Sequence, residues 1–236
     1  MNIALFGYGK MGKMIAQVAQ QRNHTIGAKV DVDSPEIDFS KIDVAIDFSM
    51  PNAAFENIIN CISNGVPVIS GTTGWLKDYE KAVAFCNEKD GAFIYASNYS
   101  LGVNIFFELN VYLAQMMKNL SQYAISLEEI HHTQKLDAPS GTAITLAEDI
   151  IANSTYEQWK LNEASDKELA IVSKRIDSVP GTHTVTYEST VDSIEIKHTA
   201  HNREGFALGA VIAAEWILGK KGVFSMKDVL GLKATK

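Results

Sequence analysis

An α/β protein in two parts is what this sequence predicts: a parallel sheet clad in helices, then a smaller α+β part with a mixed sheet. Three observations carry that expectation. Short apolar runs alternate with helix-period segments over residues 2–96, strand-like runs with no helix between them follow from residue 170, and a Gly-x-Gly-x-x-Gly sequence stands at the first strand-to-helix junction.

Composition supplies the bounds. The chain has 236 residues, enough for one large domain or two small ones, and 46% of them are apolar against 21% charged, which excludes disorder and fibres. The balance of 21 Lys and Arg against 28 Asp and Glu leaves a net charge of -7, so no nucleic-acid partner is expected. Residues 205–218 form the best apolar run, but Glu215 breaks it short of the ~18 residues a bilayer needs, and no membrane segment is expected. Residues 1–6 lead straight into a glycine loop with nothing cleavable, which points to a cytoplasmic location. Cys61 and Cys86 are too few for a disulfide framework and are expected as buried free thiols.

The elements follow in order. NIALF, TIGAKV, VAIDF, PVIS and AFIYA read as strands, aliphatic or β-branched almost throughout, as strands buried on both faces must be; helices over 11–22, 53–64 and 76–87 connect them. Residues 103–120 place Ile105, Phe106, Leu109, Val111, Leu113, Met116, Met117 and Leu120 on a wide apolar stripe of a long helix, where the chain leaves the first part. AISLEEI is then a strand, residues 142–153 a helix, and AIVSKRI, HTVTYES and SIEIKH strands joined by turns, which makes an antiparallel or mixed sheet with its helices on one side. Residues 207–218 are apolar nearly all round and read as a buried helix, GKKG as a solvated turn, and 225–230 as a helix opened by the Ser225 and Asp228 capping pattern. This tail is expected to return to the first part, giving domains 1–99 plus 204–236 and 100–203.

Gly7, Tyr8, Gly9, Lys10, Met11 and Gly12 form the glycine loop, directly after a strand and directly before a helix. The first glycine allows a tight turn, the second lets a pyrophosphate reach the backbone, and the third lets strand and helix pack closely. That context predicts a Rossmann-type dinucleotide domain. Asp31 ends the next strand about 20 residues on, where an acidic side chain grips the adenosine ribose. Asp31 favours NADH, while Lys10 and Lys29 are suited to a 2′-phosphate, so NADH and NADPH both stay open. At the ends of later strands sit DFSMP with Ser49, GTTGW with Gly71, Thr72 and Thr73, and ASNYS with Ala96, Ser97, Asn98 and Tyr99. Open α/β sheets bind ligands at those ends, and Tyr99 is expected to pack beside the nicotinamide ring.

The segment EEIHHTQKLDAPSGTA, residues 128–143, concentrates the remaining chemistry. His131 and His132 are adjacent at a strand end, so they point to opposite faces and chelate poorly; no metal is expected. Lys135 follows in a loop, where a neighbouring histidine would lower its pKa and suit it to proton delivery. Ser140, Gly141 and Thr142 open a helix whose N–H groups seat a carboxylate. Arg175, His183, His198, His201 and Arg203 add cationic or titratable groups, with Arg203 placed to meet a second carboxylate. HTAH at 198–201 has no Cys or carboxylate nearby to complete a metal set. The sum is a dinucleotide site and a pocket for a small polyanion. A dinucleotide-sensing module without catalysis, another two-domain dehydrogenase acting on a sugar or amino acid, and a metal hydrolase are the alternatives these residues leave.

Residues 128–143 resemble the 4-hydroxy-tetrahydrodipicolinate reductases, also called dihydrodipicolinate reductases, of bacterial lysine and diaminopimelate synthesis. The resemblance runs on through GYGKMG, GTTGW, SNYSLGVN and REGFALGAV and covers nearly the whole chain. It implies reduction of 4-hydroxy-tetrahydrodipicolinate, a cyclic dicarboxylate, to tetrahydrodipicolinate with hydride from NADH and/or NADPH, loss of water, and no metal. It implies His131 as proton donor or acceptor, Lys135 as second proton donor, and His132, Gly141 and Thr142 as substrate contacts. Gly71 to Thr73 and Ala96 to Tyr99 match cofactor positions, and the middle domain's sheet is expected to assemble a homotetramer. The chain departs from the family pattern in a glycine loop one residue shorter than in many relatives. Met50 stands where some members have arginine, Asp31 lacks a following arginine, and residues 175–181 replace a more glycine-rich stretch.

Overall fold

β1 (Asn2–Phe6) alternates Ile3 and Leu5 with Ala4 and Phe6, and successive residues on a strand face opposite ways, so each pair feeds a different core. The computed structural model describes residues 1–31, 34 and 37–232. It continues through α1 (Lys10–Gln21), β2 (Thr25–Val30), β3 (Val44–Asp47), α2 (Pro51–Ser63), β4 (Val68–Ser70), α3 (Tyr79–Glu88), β5 (Ala92–Tyr95) and α4 (Leu101–Met117). Then come β6 (Ala124–His131), α5 (Gly141–Ile151), β7 (Gln158–Leu161), β8 (Glu168–Arg175), β9 (Gly181–Glu188), β10 (Ser193–Ala200), α6 (Glu204–Ile217), β11 (Gly222–Phe224) and α7 (Met226–Val229).

Two compact units result: Met1–Leu101 with residues 204–232, and Gly102–Arg203. The first is built on a six-stranded sheet in the order β11-β5-β4-β3-β1-β2, parallel throughout. Ile3, Leu5, Ile46 and Ile94 meet α1 and α6 on one face; Ala4, Phe6, Ala45, Val68 and Phe93 meet α2, α3 and Trp75 on the other. The chain runs from β1 outward to β2, then restarts on β1's other side with β3. The carboxyl ends of β1 and β3 therefore flank the point where strand order reverses, which is where open α/β sheets leave a ligand crevice.

The second unit holds a five-stranded sheet in the order β10-β9-β6-β8-β7. β6 pairs parallel with β8 and antiparallel with β9, so the sheet is mixed. One core unites Phe106 and Leu113 of α4, Leu146 and Ile150 of α5, and Leu127, Ile171 and Val185 of the sheet. Among the described residues no helix is long and apolar enough to cross a membrane, and Cys61 and Cys86 are both buried and free.

Two strands escape the sequence pattern. β7 is a four-residue edge strand with mostly exposed side chains, and β11 is three residues long, so neither offers an alternation to read. GKKG is a turn only in part: Lys220 lies over the Trp216 ring, Lys221 pairs with Asp90, and Gly222 already belongs to β11. α7 opens as expected, with the Ser225 and Asp228 capping box formed.

α6 approaches the chain before α4 so closely that a Cβ on Gly209 would stand 1.7 Å from the Tyr99 carbonyl oxygen. Gly209→Ala should therefore cost about 2 kcal/mol or more, read as a lower urea midpoint at unchanged slope. An unchanged midpoint would mean that α6 shifts freely and that this contact does not hold it.

Candidate active site

Strand pairing in the second unit assembles a cluster that no single segment could supply. Glu129 and His131 are two apart on β6 and share a face. β9 sets His183 opposite Glu129, and β8 sets Arg175 opposite His131. Glu129, His131 and His183 are 0%, 8% and 5% exposed, so their polar groups must satisfy one another. His131 Nδ1 is in direct contact with Glu129 Oε2, and Arg175 Nη1 donates to Oε1 at 3.0 Å. Burial by itself would push the Glu129 carboxyl up, but the hydrogen bonds from His131, Ser173 and Arg175 outweigh it and hold the group at about 2. With Nδ1 turned to a carboxylate, His131 keeps Nε2 as its second proton position. That atom would lie 3.1 Å from a Cβ on Gly181, so glycine there spares the imidazole a close contact.

His183 packs edge-on to His131 with ring centroids 5.1 Å apart. Burial, then the neighbouring His131, lower its pKa to about 3, so it is neutral. Ser140 is the N-cap of α5: its Oγ accepts from Ala143 N at 3.2 Å and meets His183 Nε2 at 3.0 Å. Having accepted the backbone proton, the hydroxyl has its own to donate to the histidine. Gly141 is exposed with no atom within 4 Å of where a Cβ would stand, and Thr142 is half-buried; the first turn of α5 has no acidic residue. That helix end suits an anion.

Lys135 is half-buried in the loop after β6, with Nζ 2.8 Å from each carboxylate oxygen of Asp137. Its close partner is thus a carboxylate, not the histidine expected from the sequence. Arg175 Nη2 donates to the Asp137 carbonyl oxygen at 2.6 Å, tying this loop to β8. His132 is half-buried just past β6, with Nδ1 enclosed and without a hydrogen-bond partner. Arg203 is exposed immediately before α6. His198 is drawn to the Phe106 ring, at 6.0 Å between centroids, and His201 is exposed.

Glu129, His131 and His183 place potential ligand atoms within 4.8 Å of one another, a different set from the His131 and His132 pair considered in the sequence. The groups are already engaged: Arg175 and His131 take the two carboxylate oxygens, and Ser140 takes His183 Nε2. A guanidinium 3.0 Å from the carboxylate also opposes a divalent cation. His131 and His183 thus stand side by side, each held by a partner of its own.

In the first unit the glycine loop divides its labour by position. Gly7 has φ +85°, and a Cβ on it would lie 2.2 Å from the Phe48 carbonyl oxygen; on Gly12 it would lie 2.1 Å from the Gly7 carbonyl oxygen. Gly9 has nothing within 4 Å and is the N-cap of α1, whose first N–H groups receive no side-chain cap. Lys10 is exposed and Met11 half-buried, and Lys29 Nζ lies 4.5 Å over the Tyr8 ring. Asp31 follows β2 at the surface, its N–H bonded to Ser34 Oγ at 2.7 Å. The hydroxyls of Ser49 and Thr72 both donate to Asp47, Gly71 makes room for the Phe48 ring, and Thr73 is exposed. Ala96 and Asn98 are half-buried and Ser97 is exposed. Tyr99 corrects an expectation. It is 1% exposed, and its hydroxyl donates to the Ser70 carbonyl oxygen at 3.0 Å, so the ring props the strand ends from inside and has no face for a nicotinamide.

Glu129 and Gly181 are site residues that reasoning from sequence missed, and His183, grouped there among cationic or titratable residues, is neutral. The signal for Glu129 was its place two residues before His131 on a strand. For His183 and Gly181 there was none, since β9 meets β6 only in the folded sheet.

Two family models match the chain: "Dihydrodipicolinate reductase, N-terminus" over residues 1–99 and "Dihydrodipicolinate reductase, C-terminus" over residues 102–230. The chain belongs to the dihydrodipicolinate reductase family. A 4-hydroxy-tetrahydrodipicolinate reductase from Christiangramia forsetii is 59% identical over 233 residues, covering 98% of each chain. One from Methanosarcina acetivorans is 38% identical over 239 residues, covering 98% of this chain and 89% of its own. The fold is also that of a dipicolinate-bound dihydrodipicolinate reductase from Paenisporosarcina sp. TG-14, with a TM-score of 0.77 at 21% identity, covering 95% of this chain and 97% of that one. As a member of this family the chain is an oxidoreductase that reduces 4-hydroxy-tetrahydrodipicolinate in lysine and diaminopimelate synthesis.

His183 has a depressed pKa, so as pH falls through its ordinary 6.5 the unfolded chain takes up a proton that the folded one refuses, and stability is lost until about pH 3. At pH 5.5 that loss should be about 1.4 kcal/mol. Glu129 adds a lower window: its contribution is present above its ordinary 4.5 and lost as pH falls toward 2. Urea denaturation of His183→Gln should show a shallower loss between pH 7 and 5.5 than the parent chain. Identical pH slopes would show that His183 is not held neutral.

Proposed function

We propose that the first unit holds NADH or NADPH and that the second binds the cyclic dicarboxylate beside His131 and Lys135. The observation that carries this reading is the grouping of a carboxylate-oriented imidazole, a half-buried lysine and an open helix N-terminus within residues 129–142.

The glycine loop fits a dinucleotide on its own geometry. The uncapped start of α1 and the empty space over Gly9 suit a pyrophosphate, which a side chain at that position would exclude. Asp31 accepts from the ribose hydroxyls, and Lys10 and Lys29 stand near enough in sequence to serve a 2′-phosphate, so both reduced cofactors are substrates in this proposal. When bound, the cofactor supplies the hydride. The polypeptide does the rest. The N–H groups that follow Ser140 seat one substrate carboxylate, with Gly141 and Thr142 at the helix start, and His132 and Arg203 serve the other. Glu129 holds the His131 ring by Nδ1 so that Nε2 exchanges the proton. Lys135 is the second donor, and Asp137 keeps its ammonium at the loop until substrate carboxylate competes for it. Water leaves the hydroxylated ring carbon, and no step needs a metal.

Assembly as a homotetramer in the cytoplasm belongs to the same proposal. Supporting it, Ile105, Leu109, Tyr112 and Met116 lie 44–54% exposed along α4, an apolar row a second copy would cover.

The purified protein should oxidise reduced nicotinamide only when the dicarboxylate is supplied, with full rate in a chelator. Lys135→Ala should lower kcat by ~10²-fold while leaving the cofactor Kd nearly unchanged. Turnover that survives the substitution would remove Lys135 from proton transfer, and silence of the parent with both cofactors would leave a dinucleotide-sensing module as the better description. Sedimentation velocity checks the tetramer; a monomer at micromolar concentration would refute it.

A further inference from the structure

Asp47 ends β3 with a side chain that has no exposed surface, although Asp is among the residues least often fully buried. Among the described residues its hydrogen-bonding partners are neutral. Ser49 Oγ donates to Oδ1 at 2.6 Å and Asn57 Nδ2 to the same oxygen at 3.0 Å; Ser70 Oγ and Thr72 Oγ1 donate to Oδ2 at 2.9 and 2.7 Å. Four donors on two oxygens fill the acceptor positions of a carboxylate, which has acceptors only. They come from separate segments: the loop after β3, the helix α2, the last residue of β4 and the loop beyond it.

The network also closes on itself. Ser49 N–H donates to Thr72 Oγ1 at 2.9 Å, and Asn57 Nδ2 reaches Ser49 Oγ at 3.1 Å. Each hydroxyl has one proton to give, and Ser49 and Thr72 have both given theirs to Asp47. Neither is left as a donor to a ligand. Strand register puts Phe6 of β1 and Ser70 of β4 on either side of Asp47, so the carboxylate sits among the strand ends at the point of reversed order. The next residue, Phe48, has the carbonyl oxygen that crowds Gly7, so a shift of this loop would drive it into the glycine turn.

We infer that Asp47 is a positioning residue for cofactor binding, clamping the loops after β3 and β4 so that their backbone groups, and not the Ser49 and Thr72 hydroxyls, meet the reduced nicotinamide cofactor. The inference rests on the proposed function. Its content is separate: Ser49 and Thr72 act through Asp47.

A double-mutant cycle with direct binding tests it. NADH and NADPH are titrated calorimetrically into the parent, Asp47→Asn, Ser49→Ala and the double variant. Asp47→Asn should raise both Kd values about tenfold, with the KM for dicarboxylate and kcat at saturating cofactor within about twofold of the parent. Ser49→Ala should raise Kd too, and the double variant should bind no more weakly than Asp47→Asn, because the hydroxyl's effect passes through the carboxylate. Additive losses would show the Ser49 hydroxyl touching cofactor directly and overturn the inference. So would a fall in thermal midpoint with no change in Kd, the mark of a purely structural role. Should Asp47→Asn fail to fold, Ser70→Ala removes one donor from the same carboxylate inside β4, and an unchanged Kd there overturns the inference equally. Failure of the parent chain to bind either cofactor would instead strike the proposed function itself.

Discussion

Glu129 has no exposed surface, and a carboxylate in that position must be matched by hydrogen bonds and opposite charge or take up a proton. Much of the second unit's site can be traced to how that demand is met. Arg175 meets it from the neighbouring strand and His131 from two residues along the same one. Meeting it fixes the imidazole's orientation and directs its second nitrogen toward Gly181. Arg175 then extends the constraint to the Asp137 carbonyl, so the loop that carries Lys135 is held by the same guanidinium. Removing one partner from such a buried pair leaves the other charge uncompensated, which is the costly case.

His183 shows the opposite solution to the same problem. Burial strips the imidazolium of water and the neighbouring His131 disfavours a charge beside it, so this histidine stays neutral and works as a hydrogen-bonding strut to Ser140. A neutral histidine beneath the cap of α5 braces that helix start while leaving its backbone N–H groups to an anion. The first unit meets the demand a third way. Among the described residues Asp47 has neither Arg nor Lys as a hydrogen-bond partner and relies on a full set of neutral donors, a pattern suited to a site where an added cation would itself be a ligand for phosphate.

The parallel sheet, the glycine loop and the buried C-terminal helix were legible because each rests on local spacing. Short continuous runs of aliphatic residues between helix-period segments read as strands, and a glycine at Gly7 answers to its own φ and to the end of β3. The cluster was legible only where it was contiguous. His131, Lys135 and Ser140 stand within one segment and were found; Glu129 stood in the quoted segment but passed as an ordinary strand residue. Tyr99 was misjudged because an aromatic at a strand end looks alike from the sequence whether it faces a ligand or the core.

The order and type of nearly all elements, the anion-ready helix starts and the family membership were determined by the sequence alone, since propensity, periodicity and motif spacing act over a few neighbouring residues. Which strands lie side by side was decided only in three dimensions. β9 and β8 bring His183 and Arg175 to Glu129 and His131 across 44 to 54 residues of chain. Burial then turned one histidine neutral, and the sealing of Asp47 turned two hydroxyls inward. Protonation and hydrogen-bond direction depend on the surrounding dielectric and on partners remote in sequence, and neither exists until the sheets have closed.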